Sequence, residues 1–241
     1  MNKKTIIIVV AVSFIAGFAL FRFLEGIVPD SDAKMSGRQS VGEIISLPDP
    51  VKKGNVSVEE ALSQRRSRRE YSGRQLTLSE LSQLLWAAQG VNERFGGKRT
   101  APSAGATYPL ELYAVVGGVD GLSPGVYHYL PGDHSIRLVS AVDARETLAA
   151  AALNQGFIAE APVTLVLSAV YERTTETYGQ RGIQYVHMEA GHAAQNVYLM
   201  CEALGLGTVA VGAFDDEAVM EVIGLSAGQR ALYLLPVGGQ S

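Results

Sequence analysis

Arg99-Thr100-Ala101-Pro102-Ser103-Ala104-Gly105-Ala106-Thr107-Tyr108-Pro109-Leu110-Glu111 reads as a tight loop, shaped by glycine and proline, that runs into an apolar strand. Upstream of it, Arg65-Arg66-Ser67-Arg68-Arg69-Glu70-Tyr71 gathers guanidinium groups and a hydroxyl where a short helical pattern ends. Guanidinium forks bind phosphate through charge-assisted, bidentate hydrogen bonds. A loop of small residues lets main-chain donors come close to a flat polar ring. Together the two stretches suit a planar cofactor that carries a phosphate.

Working outward from them, helix starts are written plainly. Ser57-Val58-Glu59-Glu60 and Thr77-Leu78-Ser79-Glu80 have the spacing of capping boxes. The second opens a helix with Leu78, Leu81, Leu85 and Ala88 on one face, and Gly90 is suited to end it. Leu112 to Val116 is predicted as a strand, Gly125 to Leu130 and Ile136 to Val139 as a hairpin, and Val163 to Val170 as a β-branched strand introduced by Pro162. Asp143 is expected to cap an alanine-rich helix. From about Tyr185 to Leu204, Ala190, Ala194, Val197, Cys201 and Leu204 draw one apolar stripe along a long helix. Thr208 to Val211 and Ala231 to Val237 read as strands, with Asp215 as a helix cap between them. Mixed helices and strands without regular alternation indicate an α+β domain.

The 241 residues are 47% hydrophobic and 18% charged, with a net charge of −4. That is enough for one domain with a full core, and no basic run marks a nucleic-acid partner. Cys201, the one cysteine, can build neither a disulfide framework nor a thiolate metal site. His187 and His192 are five apart, so on a helix they point about 140° away from each other and do not share an ion. No metal is expected. Gly205, Gly207 and Gly212 do not form a dinucleotide loop, because a strand before and a helix directly after are both required.

Thr5 to Phe21 is almost wholly apolar and follows Lys3 and Lys4. Extended through Leu24, it is about long enough to cross a hydrocarbon slab as a helix. Residues 1–28 are therefore read as a membrane anchor or a cleavable signal segment, 29–56 as a tether rich in proline, glycine and serine, and 57–241 as the domain. The flanking lysines place the domain outside the cytoplasm, anchored by the single helix or secreted after cleavage.

Four stretches in order carry a resemblance to a known family. These are the arginine segment, the Pro102-Ser103-Ala104-Gly105 loop with its Tyr108-Pro109-Leu110-Glu111 continuation, Glu189-Ala190-Gly191-His192-Ala193-Ala194-Gln195-Asn196 with Ala203 to Gly207 and Val211 to Asp215, and Leu232 to Gly238. From roughly Ser57 to Gly239 the chain resembles the flavin-dependent nitroreductase superfamily, and within it the SagB-type dehydrogenases. The resemblance implies a central, mostly antiparallel sheet wrapped by helices, and a homodimer with flavin sites at the subunit interface. It implies FMN as cofactor, with NAD(P)H as a possible electron donor and a small organic or peptide-derived substrate.

By the same resemblance, Arg65, Arg66, Ser67 and Arg69 form the first flavin segment. Arg65 and Arg69 would meet the phosphate or the pyrimidine edge, and Ser67 the ring or the ribityl chain. Pro102, Ser103, Ala104 and Gly105 would lie against the ring, and Gly212 and Ala213 would set a main-chain amide opposite N5. No catalytic side chain is assigned. Many relatives carry a basic residue beyond the last strand, where this chain has Gly238-Gly239-Gln240-Ser241. The missing charge falls to Arg66, Arg99 or Arg181, or flavin is held less tightly. Tyr171 to Tyr185 reads as a lid or a solvated loop. A flavin-holding module that no longer turns over is the alternative function.

Overall fold

A computed structural model describes residues 39–92 and 97–241. Among these residues, seven strands form one sheet in the order β1-β6-β5-β4-β7-β9-β8. They are β1 (Ile44–Ser46), β4 (Leu110–Val116), β5 (Gly125–Leu130), β6 (Ser135–Ser140), β7 (Val163–Val170), β8 (Leu206–Thr208) and β9 (Gln229–Gly239), while β2 (Val91–Asn92) and β3 (Lys98–Arg99) pair separately. Every neighbouring pair in the sheet is antiparallel. This is the expected α+β architecture.

The central strands are apolar on both faces because both faces are covered. Leu110, Leu112, Ala114 and Val116 of β4 enter one core, and Tyr113 and Val115 enter the other. The first core is closed by α2 (Leu78–Gln89) and α6 (Arg181–Leu204), which contribute Leu81, Leu84 and Leu85, and Val186, Ala190, Ala194, Val197 and Cys201. Each fully buried leucine there contributes about 1.5–3 kcal/mol. The second core is closed by α3 (Arg145–Ala151), α4 (Phe157–Glu160) and α7 (Asp216–Ile223), through Leu148, Ile158, Val219 and Ile223.

Local chemistry sets the helix ends. The Ser57 hydroxyl accepts the Glu60 N–H at the start of α1 (Val58–Gln64), and Thr77 and Glu80 form a reciprocal capping box at the start of α2. Asp215 accepts the Ala218 N–H at 2.9 Å and opens α7. At the end of α6, Gly205 takes φ +67°, a left-handed conformation suited to glycine.

Three expectations are corrected. Tyr171 to Tyr185 is not an irregular loop but helical, with α5 (Glu172–Tyr178) turning at Gly179 (φ +55°) into α6. Polar anchoring holds it, since buried Thr174 shares a 2.8 Å hydrogen bond with Thr107. The tether expected over 29–56 is part of the folded unit from Gln39 onward. The Gln39 side chain accepts from the Tyr127 hydroxyl at 2.6 Å, β1 pairs with β6, and Gln83 bonds both backbone groups of Val51.

The third correction concerns the membrane-anchored, extracytoplasmic placement of the domain. Among the described residues no helix is long and apolar enough to cross a membrane. The apolar run from Thr5 to Phe21 that suggested the anchor lies outside the described residues.

Candidate functional site

The arginine segment leaves α1 and runs along the edge of the sheet. Ser67 forms a parallel bridge with Thr208, the Arg68 N–H donates to the Thr208 carbonyl at 2.9 Å, and the Ser72 N–H donates to the Gly239 carbonyl at 3.0 Å. Glycines make this approach possible. A Cβ on Gly207 would lie 2.9 Å from Arg68 Cδ, and one on Gly238 would lie 2.6 Å from Tyr71 Cγ.

The alternating side chains of the segment divide its work. The Arg66 N–H donates to Glu202 Oε1 at 3.3 Å, and its guanidinium turns back to the Ser63 and Arg65 carbonyls. Arg68 Nε stands 3.7 Å from Glu202 Oε1, an ion pair without a proper hydrogen bond. Arg65, Ser67 and Arg69 face elsewhere. The Arg65 guanidinium lies 5.2 Å from the centre of the Tyr198 ring, Ser67 Oγ is 3.1 Å from the Tyr198 hydroxyl, and the Arg69 guanidinium lies 5.7 Å from the centre of the Phe157 ring. Ser67 and Arg69 are exposed.

Tyr198 joins this segment to the stretch after β8. Its hydroxyl accepts the Ala210 N–H at 2.7 Å. Val211 then exchanges two backbone hydrogen bonds with Leu234, which leaves Gly212 and Ala213 exposed at the surface. The Ala213 carbonyl accepts from Gln155 at 2.9 Å, two residues before the Phe157 ring that meets Arg69. Arg65, Ser67, Arg69, Gly212 and Ala213 thus share one neighbourhood. Beside Gly212 opens a cavity of about 450 Å³, also lined by Tyr171, His187, Ala190, Phe214, Asp216, Arg230 and Tyr233.

Pro102 to Gly105 stands apart from the arginine segment. Ser103 Oγ accepts the Tyr108 N–H at 2.9 Å, and Gly105 has φ +60° where a Cβ would lie 2.6 Å from the Tyr178 hydroxyl. Behind the loop lies Glu189, 3% exposed. Burial raises its carboxyl to about 7, against the opposing pull of Ser103 and of Arg99. Glu189 Oε1 has no partner. Along α6, Glu189 and Tyr198 are nine residues apart, about 13 Å of rise.

Of the arginines expected to replace a C-terminal base, Arg99 is committed to Gln89 and the Leu110 carbonyl and covers the Tyr108 ring. Arg181 lies over Tyr185. Beyond the last strand, Gln240 donates to Glu202 and to the Leu206 carbonyl. Sequence reasoning missed Tyr198, Glu202 and Glu189 as organisers of the site. The one available signal was polar side chains interrupting a small-residue helix stripe.

The sheet, its two helical layers and this polar edge define an α+β domain with a candidate site at one edge, and comparison with known proteins narrows its class. The sequence model of the nitroreductase family matches residues 62–239. MJ1384 of Methanocaldococcus jannaschii, provisionally named a nitroreductase, is 52% identical over 194 residues, 80% of this chain and 95% of that protein. A crystal structure from Ralstonia eutropha, also provisionally named a nitroreductase, is 31% identical with a TM-score of 0.72, covering 85% of this chain and 94% of its own. The NADPH:FMN oxidoreductase of Vibrio harveyi, solved with NAD+, shares the fold at 20% identity and a TM-score of 0.56, covering 76% and 69%. The chain belongs to the nitroreductase family, a family of flavin-dependent oxidoreductases.

Proposed function

We propose that the protein is an FMN-dependent oxidoreductase that passes hydride between flavin N5 and a small organic or peptide-derived substrate, with NAD(P)H as electron donor. The observation that carries this is the shared neighbourhood of Arg65, Ser67, Arg69, Gly212 and Ala213 around Tyr198. Bound FMN would supply the two-electron chemistry. The donor set fits the group, with the Arg65 and Arg69 guanidiniums for a phosphate, a hydroxyl for the ribityl chain or ring, and exposed small residues for the ring edge.

Each part of the chain then has a task. Arg65 and Arg69 hold the phosphate or the pyrimidine edge, and Arg66 adds positive charge. Ser67 and the main chain at Gly212 and Ala213 orient the ring. Pro102, Ser103, Ala104 and Gly105 cover it. By the resemblance, the loop that covers each flavin is taken from a second copy. A homodimer follows from this reading. An apolar groove of about 290 Å³, lined by Val58, Ala61, Trp86, Leu199, Met200 and Ala203, offers the face for that copy.

The R-x-S-x-R-x-Y and P-S-A-G-x-x-Y-P-L-E patterns favour the SagB-type branch, which oxidises azoline rings in modified peptides. Anaerobic mixing of the FMN-loaded protein with NADPH, followed by a nitroaromatic, a quinone or a thiazoline peptide, tests the proposal. Bleaching by NADPH and return of colour with one acceptor supports it. Failure of every donor and acceptor to alter the spectrum rejects it.

A further inference from the structure

The cavity beside Gly212 contains a feature that the flavin reading does not use. Tyr171, at the end of β7, and His187, on α6, both line it, and the Tyr171 hydroxyl lies 2.5 Å from His187 Nε2. The two rings meet edge to face, 87° apart with centres 5.6 Å from each other. From α7 the carboxylate of Asp216 faces the tyrosine, and from β9 the guanidinium of Arg230. Tyr171 is half-buried and His187 is exposed, so the histidine end of the pair reaches water.

Hydride transfer to an organic acceptor is half of a balanced reduction. A quinone that receives hydride becomes a hydroquinone anion, and its oxygen must take a proton. We propose that Tyr171 donates this proton to the acceptor and that His187 replaces it from solvent. In that step the Tyr171 O–H bond breaks, a new O–H bond forms on the acceptor, and protonated His187 returns a proton to the phenolate. The acceptor is reduced by the hydride of a reduced flavin, so this rests on the proposed function. In the reverse direction the pair accepts the proton of a substrate being oxidised.

The surroundings suit the role. Burial raises the Tyr171 pKa, Asp216 adds to the rise and Arg230 opposes it, so the hydroxyl keeps its proton at neutral pH until a stronger base is formed. The short hydrogen bond fixes His187 as the group that recharges it.

Two measurements test this. In flavin-free protein labelled with 15N-histidine, the His187 signal, identified by its loss in His187→Gln, is expected to move in Tyr171→Phe. An unmoved signal overturns the pairing. In FMN-loaded protein, stopped-flow reoxidation by 1,4-benzoquinone is expected to slow roughly a hundredfold in Tyr171→Phe. Reduction by NADPH should be unchanged, and His187→Gln should shift the pH profile of reoxidation. Wild-type reoxidation in both variants at every pH overturns the proposal. Protein that binds no flavin defeats the proposed function instead, and the histidine signal still decides whether the pair exists.

Discussion

The hydroxyl of Tyr198 accepts the main-chain N–H of Ala210 at 2.7 Å, and so α6 sets the position of the strand end that leads to Gly212. The same hydroxyl reaches Ser67 Oγ, tying two separate stretches of sequence to one atom. Tyr198→Phe removes both bonds. Stability should fall by about 1 kcal/mol, read by urea unfolding, and FMN affinity should fall severalfold as Ser67 and Gly212 lose their common reference.

Glu202 supports the arginine segment from behind. It is 8% exposed and accepts the Arg66 N–H and the Gln240 amide, with Arg68 at 3.7 Å. Glu202→Ala leaves these donors without it and should cost about 1–3 kcal/mol in thermal or urea unfolding. Glu202→Gln, which keeps an acceptor, should lose less.

Arg69→Ala should weaken FMN binding roughly ten- to a hundredfold, the usual weight of a charge-assisted hydrogen bond. Stability should hardly change, because the side chain is exposed and its contact with Phe157 spans 5.7 Å. Isothermal titration with FMN alongside a melting curve separates the two effects.

Glu189 gives stability a pH dependence. Its carboxyl rises from the ordinary 4.5 to about 7 in the folded protein because it is buried, so between those values the folded state binds more protons than the unfolded one. Its contribution is therefore complete below about pH 4.5 and is lost as pH rises through about 7, at most about 3 kcal/mol across the window. Urea titrations of Glu189→Gln should lack this fall. Arg99 is the cation that opposes the rise.

Much of the framework was legible in local sequence. The caps at Ser57, Thr77 and Asp215, the stripe from Ala190 to Cys201 and the β-branched run of β7 are all short-range signals, and the structure contains each of them. The organisers of the site were not legible, because Tyr198 and Glu202 act on residues more than a hundred positions away. α5 was hidden because hydroxyl contacts anchor it in place of an apolar stripe. Packing of the chain from Gln39 was hidden because single glutamine side chains and strand pairing hold it. The resemblance supplied the family. The pattern of helices and strands alone suggested only an α+β domain.

The visible absorption spectrum of the purified folded chain, before and after addition of excess FMN, tests the central claim most directly. The account predicts flavin bands that stay with the protein through gel filtration, at one FMN per chain, and that weaken in Arg69→Ala. A folded protein that emerges colourless and stays colourless after incubation with FMN would contradict it.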